Sequence, residues 1–128
     1  YEMYMHCGAI RKVLLAWQTP TFIDEYFKTI IIHDQAFPHV RPDDLRGELK
    51  KIRQEGYAIT RGEYVNDAVG IGAPVFNSEG ELAGSIGIIA PEIRIDTPEF
   101  LATQRDLVQF YASALSSDLG YEKHDVFQ

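Results

Sequence analysis

The chain has one cysteine, one tryptophan and no long apolar run. A lone Cys7 excludes an intrachain disulfide and fits a reducing compartment. Ile30-Ile31-Ile32 is only a short run, and nothing here is long or apolar enough to cross a bilayer as a helix, so no membrane association is expected. Positive charge is also scarce. A formal net charge of -7 gives this stretch no basic face with which to neutralise phosphates, so nucleic acid is expected to be bound only by a neighbouring domain. There is no basic segment followed by an apolar one and a cleavage site at the start. The opening Tyr1-Glu2-Met3-Tyr4-Met5 alternates like the end of a strand, which suggests a piece of a longer protein.

Other absences bear on chemistry. None of His6, His33, His39 and His124 stands three or four residues from another, so surface or capping roles are expected of them and no metal site. Cys7 follows His6, but neighbours in an extended segment point to opposite faces, which is poor placement for a nucleophile and its base. Gly70-Ile71-Gly72 lacks the third glycine of a dinucleotide fingerprint. No nucleophile, base and orienting group can be assembled, so neither an enzyme nor a cofactor is expected. Repeats and low-complexity segments are absent as well.

What is present centres on residues 68 to 91. Two apolar runs flank Asn77-Ser78-Glu79-Gly80, the pattern of a β-hairpin in which Gly80 takes the positive φ that closes the loop. Its strands carry Gly70, Gly72, Gly84 and Gly87, where branched or aromatic residues are usual. Such glycines admit a close neighbour or leave room for a ligand. Gly84 and Gly87 fall on opposite faces of one strand; helix packing accounts for one, and a ligand is the account preferred for Gly87.

Helical spacing of Ile10, Val13, Leu14 and Trp17 predicts an amphipathic helix from Gly8 to Trp17, with Arg11, Lys12 and Gln18 on its polar side. Thr19-Pro20 opens a second helix to about Thr29 that turns Phe22, Ile23, Tyr26 and Phe27 inward. Residues 30 to 41 read as a loop. Pro42-Asp43-Asp44 starts a third helix, with Leu45, Leu49 and Ile52 buried and Gly56 as its stop. Short strands are expected at Tyr57-Thr60 and Glu63-Val65, joined at Arg61-Gly62. Thr97-Pro98-Glu99 opens a long helix to about Leu119, burying Phe100, Leu101, Leu107, Val108, Tyr111, Ala112 and Leu115, and Gly120 ends it. The tail from Tyr121 is expected to be loosely held. The order of elements gives a single α+β domain with helices on one face of an antiparallel sheet.

Most acids sit in first turns of helices, where the macrodipole accounts for them. Glu63 does not. It is either a solvated turn residue, the commoner fate of an acid, or a group facing a cavity beside the hairpin. Arg11 lies in the first turn of its helix, a cation where the dipole favours anions. It is either simply exposed or, with the amides of Gly8 to Ile10, a carboxylate-binding group.

Three stretches carry a family likeness: His6-Cys7-Gly8-Ala9-Ile10-Arg11-Lys12-Val13-Leu14-Leu15-Ala16, the segment Leu45 to Ala58, and Gly72-Ala73-Pro74-Val75-Phe76 with Ala90-Pro91. In order and interval they resemble the C-terminal effector-binding domain of IclR-type transcriptional regulators. The resemblance implies a GAF-like α+β domain with a small-molecule pocket between the sheet and the segment Gly8 to Lys12. It also implies a cytoplasmic homodimer or homotetramer that reaches DNA through a separate N-terminal winged helix-turn-helix. That part, and the first strands of the effector domain, are expected to be missing here.

Family positions that hold small carboxylates map onto Ala9, Ile10 and Arg11 beside Gly8, then Thr60, Glu63, Ala68, Gly70, Gly87 and Ile89. An acid has become Thr60, a cysteine Gly70, and two serines Gly87 and Ile89. Losing these groups implies an effector larger or more apolar than glyoxylate or pyruvate, such as an aromatic acid. The alternative is an oligomerisation module that has lost its ligand.

Overall fold

The computed structural model describes residues 5–31, 41–63 and 66–122. Residues 32–40 of the loop expected at 30–41, with His33 and His39, lie outside them, as do Tyr64 and Val65 of the second short strand and residues 1–4 and 123–128 with His124. The described elements are α1 (Ala9–Ala16), α2 (Pro20–Thr29), α3 (Pro42–Glu55), β1 (Ala58–Arg61), β2 (Ala68–Phe76), β3 (Leu82–Pro91), a 3-10 turn (Glu92–Arg94) and α4 (Pro98–Asp118).

Local chemistry sets the element ends. Thr19 and Thr97 accept hydrogen bonds from the amides of Phe22 and Phe100, both at 3.1 Å, and a proline follows each cap. Gly56 and Gly120 end α3 and α4 with φ of 83° and 88°. In the hairpin, Asn77 Oδ1 accepts from the amides of Glu79 and Glu81 at 2.9 and 3.0 Å, and Gly80 takes φ 78°.

The sheet is antiparallel in the order β1-β2-β3. Pro74 lies past the point where β1 pairs with β2, Ala58 opposite Gly72, so its missing N–H breaks no ladder bond. Alternate residues serve opposite faces. Val69, Ile71, Ala73 and Val75 pack on Val108 and Ala112 of α4. Gly70 and Gly72 meet the start of α1, which joins α2 and α3 around Val13, Leu15, Phe27, Leu45, Leu49 and Ile52. Helices therefore cover both faces, where the element order had predicted one, because β2 is apolar or small on both sides.

Several inward-facing expectations fail for one reason: the apolar arc of a helix was wider than the surface it meets. On α4 only Val108, Ala112 and Ser116 are buried. Phe100, Leu107, Tyr111 and Leu115 are exposed. On α2, Tyr26 and Phe27 are buried while Phe22 faces solvent. His6 is not at the surface; it is fully buried, its Nδ1 2.9 Å from the Tyr26 hydroxyl.

Candidate functional site

Two neighbouring rungs of the sheet explain the site. Across β1, β2 and β3, Ala58, Gly72 and Gly87 form one rung, and Thr60, Gly70 and Ile89 another on the same face. α1 docks on the first. A Cβ on Gly72 would stand 3.0 Å from the Ala9 carbonyl and from Ile10 Cα, so only glycine lets the helix backbone lie this close. Ser85 donates to the Ile10 carbonyl at 2.9 Å and pins the helix there. Because α1 begins at Ala9, only Ala9 reaches the second rung, over Gly70, and a cavity of about 220 Å³ opens beside it.

Thr60, Gly70 and Ile89 form the floor of this cavity, Ala68 its far end, and Gly8, Ala9, Ile10 and Arg11 its helical wall, with Glu63 on the flank. The positions named from the sequence thus converge on one hollow, with one exception. Gly87 does not line it. A Cβ there would stand 2.0 Å from the Ile71 carbonyl oxygen and 2.8 Å from Ile10 Cγ1, so this glycine serves the close contact of strand, strand and helix. Room for a ligand is not its reason, since the space beside it is taken by Ile10.

Glu63 is a wall residue and not a solvated one. The bend containing it is closed by Gly62 N–H donating to the Ala68 carbonyl at 2.8 Å. Its Oε2 accepts from Lys12 Nζ at 2.6 Å, and its Oε1 accepts a longer bond, 3.3 Å, from Gly8 N–H. Lys12 also donates to Glu48 of α3 at 2.7 Å. Its side chain is only 1% exposed against 33% for Glu48 and 20% for Glu63. An unpaired ammonium this deep is costly, and two carboxylates compensate it.

Helical spacing puts Lys12 on the polar side of α1. Yet it lies on the stripe of Ala9, Val13 and Ala16, and counting the alanines as apolar would have shown it. Cys7, fully buried and also lining the cavity, was likewise not anticipated, and the sequence carries no signal for it. Nor does it carry one for Glu48.

The electrostatics of the hollow are asymmetric. α1 has no acid in its first turn and no side-chain cap, so the amides of Ala9 and Ile10, which have no intrahelical acceptors, meet the cavity with the positive end of the helix and Arg11. The Glu63 carboxylate stands beside this helix start, accepting from Gly8 N–H, and Ala68, Gly70 and Ile89 make the apolar remainder of the lining. The hollow is therefore apolar over most of its lining, with its donors and one carboxylate gathered at the start of α1. Among the described residues no cluster of His, Cys, Asp or Glu has metal-binding geometry, and no helix is long and apolar enough to cross a membrane.

Comparison with known proteins agrees on one family. The profile of the family described as bacterial transcriptional regulator IclR, C-terminal, matches residues 2–117. The uncharacterized HTH-type transcriptional regulator RhmR of Escherichia coli K12 is 32% identical over 97 residues, 74% of this chain and 37% of RhmR. The probable HTH-type transcriptional regulator ArcR of Halobacterium salinarum is 30% identical over 117 residues, 87% of this chain and 43% of ArcR. In fold, the crystal structure of Thermotoga maritima IclR superposes with a TM-score of 0.80 at 26% identity, covering 94% of this chain and 49% of that one. The chain spans less than half the length of these relatives.

Proposed function

Since the chain belongs to the IclR family and corresponds to the C-terminal domain of its transcriptional regulators, we propose that the cavity at the start of α1 is the sensing pocket for a small-molecule effector. One observation carries this reading. A hollow of about 220 Å³ is walled by the start of α1, by Arg11 and Glu63 and by apolar strand residues. That volume is the liquid share of roughly seven waters. It is more than a two- or three-carbon acid fills and below the roughly 300–1,000 Å³ of sites for drug-sized ligands. The effector is therefore a metabolite acid larger or more apolar than glyoxylate or pyruvate, of the size of a single ring or a short branched chain.

Residues 1–128 then form the effector-binding domain of a longer cytoplasmic regulator. The relatives' names, HTH-type transcriptional regulators, support DNA binding by a separate winged helix-turn-helix and no catalytic role. Effector binding shifts an equilibrium between DNA-competent and incompetent arrangements of a homodimer or homotetramer.

Thermal-shift titration with benzoate, phenylacetate and branched aliphatic acids tests the reading. At least one acid is expected to raise the Tm saturably, because a ligand at a hundredfold its Kd adds about 2.7 kcal/mol. Ala68→Phe, which fills the cavity from its strand end, removes that rise. No stabilisation by any acid contradicts the assignment.

A second reading, an assembly module without a ligand, is favoured by the apolar stripe of Leu107, Tyr111 and Leu115 on α4 and Leu119 just past its end, 43–58% exposed. It predicts an oligomer indifferent to every acid and to Ala68→Phe.

A further inference from the structure

A second hollow, an open cleft of about 610 Å³, lies at the other end of α1. It exists because β2 outruns β1. Pairing stops at Ala58 opposite Gly72 and α3 ends at Gly56, so Ala73, Pro74 and Phe76 have no neighbouring strand on that side. The volume falls within the roughly 300–1,000 Å³ of small-molecule sites.

The lining favours positive charge. α1, α3 and α4 all bring their C-terminal ends to the cleft, through Trp17, Gly56 and Ser117. Helix C-termini carry the negative end of the macrodipole, and neither α1 nor α4 has a basic residue in its last turn to offset it. Glu55 adds a carboxylate, whose ion pair with Lys51 is long, 4.0 Å. Along the wall stand three half-buried rings. Trp17 and Phe76 have centroids 5.9 Å apart and planes inclined at 63°; Phe76 and Tyr121 are 5.1 Å apart at 37°. Rings so inclined leave no parallel slot in which a flat base could stack, while their electron-rich faces attract a rounded cation. Among the described lining residues Arg53 is the one cation. It donates to the Ala16 carbonyl at 3.4 Å and keeps donors for an anion.

We infer that this cleft is a second binding site, for a quaternary ammonium compound of the betaine type. The trimethylammonium head lies against Trp17, Phe76 and Tyr121 near the three helix ends, and the carboxylate reaches Arg53. The net charge of -7 draws cations to the domain as a whole. Nothing in this inference depends on the reading of the first cavity.

Trp17 is the one tryptophan of the chain, so its fluorescence reports on the cleft directly. Titration with glycine betaine, carnitine and choline is expected to change its emission saturably. The neutral compound 3,3-dimethylbutanol, which has the shape of choline without its charge, is expected to bind about tenfold more weakly. Arg53→Met weakens glycine betaine about tenfold and leaves choline no weaker. Tyr121→Leu, beyond the end of α4, weakens every quaternary ammonium several-fold. Should that variant fail to fold, Ser113→Phe, at an exposed position of α4, fills the cleft and removes the response. Ala68→Phe, in the first cavity, leaves the response unchanged, so the two sites fail separately. The inference is overturned by no saturable change with any quaternary ammonium, by equal affinity for choline and its neutral analogue, or by a response that survives Ser113→Phe. A response removed by Ala68→Phe places the ligand in the first cavity and overturns it as well.

Discussion

The two faces of one small sheet are built to opposite rules. Toward α4 the strands present Ile59, Val69, Ile71, Ala73, Val75, Ile86 and Ile88, which close a dry cluster with Leu101, Val108 and Ala112. Toward α1 they present Ala58, Thr60, Gly70, Gly72, Ser85, Gly87 and Ile89, and the helix adds a buried lysine between two carboxylates. β2 serves both faces, with odd positions for one and even for the other. Branched side chains hold a helix at the distance that fills the gap completely. Glycines let a helix backbone settle on the sheet, and where that helix starts, uncovered floor remains. The cluster on one face stabilises the fold; the hollow on the other is available for binding.

The contrast can be broken at single positions. Gly87→Val has the largest expected effect, since even its Cβ overlaps the Ile71 carbonyl oxygen and strikes Ile10. Denaturant unfolding should show a loss of about 4 kcal/mol or more, or no cooperative transition. Ile71→Ala, on the α4 face, should lower stability by about 3 kcal/mol in the same assay while leaving acid affinity unchanged, because the cavity does not touch it. Lys12→Met leaves two carboxylates facing each other without their cation. Both are partly exposed, so about 2 kcal/mol is expected, below the cost of breaking a fully buried pair. Gly84→Ala sharpens the contrast from the other end. A Cβ there has nothing within 4 Å, and thermal unfolding should move by less than about 0.5 kcal/mol in stability. A Gly84 variant as damaging as the Gly87 one would mean that glycine content of the strand, not helix approach, sets the cost.

What could be read from the sequence was what local chemistry decides. Thr19, Thr97, Gly56, Gly80 and Gly120 announce caps and turns because each satisfies its backbone within a few residues. The hairpin and the buried stripe of α3 followed in the same way. The buried side of α4 did not, since two apolar stripes compete and only the sheet's position chooses Val108 and Ala112 over Leu107 and Tyr111. A glycine declares that space is needed and says nothing of who takes it, which is why Gly87 was assigned to a ligand and belongs to Ile10. Lys12 reads as surface because charge usually is, and its partners, Glu48 and Glu63, lie 36 and 51 residues away. The remaining cavity positions came together through the family likeness, and spacing alone would not have joined Arg11 to Ile89.

The most direct test of the pocket is an amide-resolved NMR titration of the protein with mandelate and phenylacetate. The account predicts saturable shifts, largest at Ala9, Ile10, Thr60 and Gly70, with the amides of α4 nearly still. Saturable shifts running along α4 instead, or none at any residue, would contradict it.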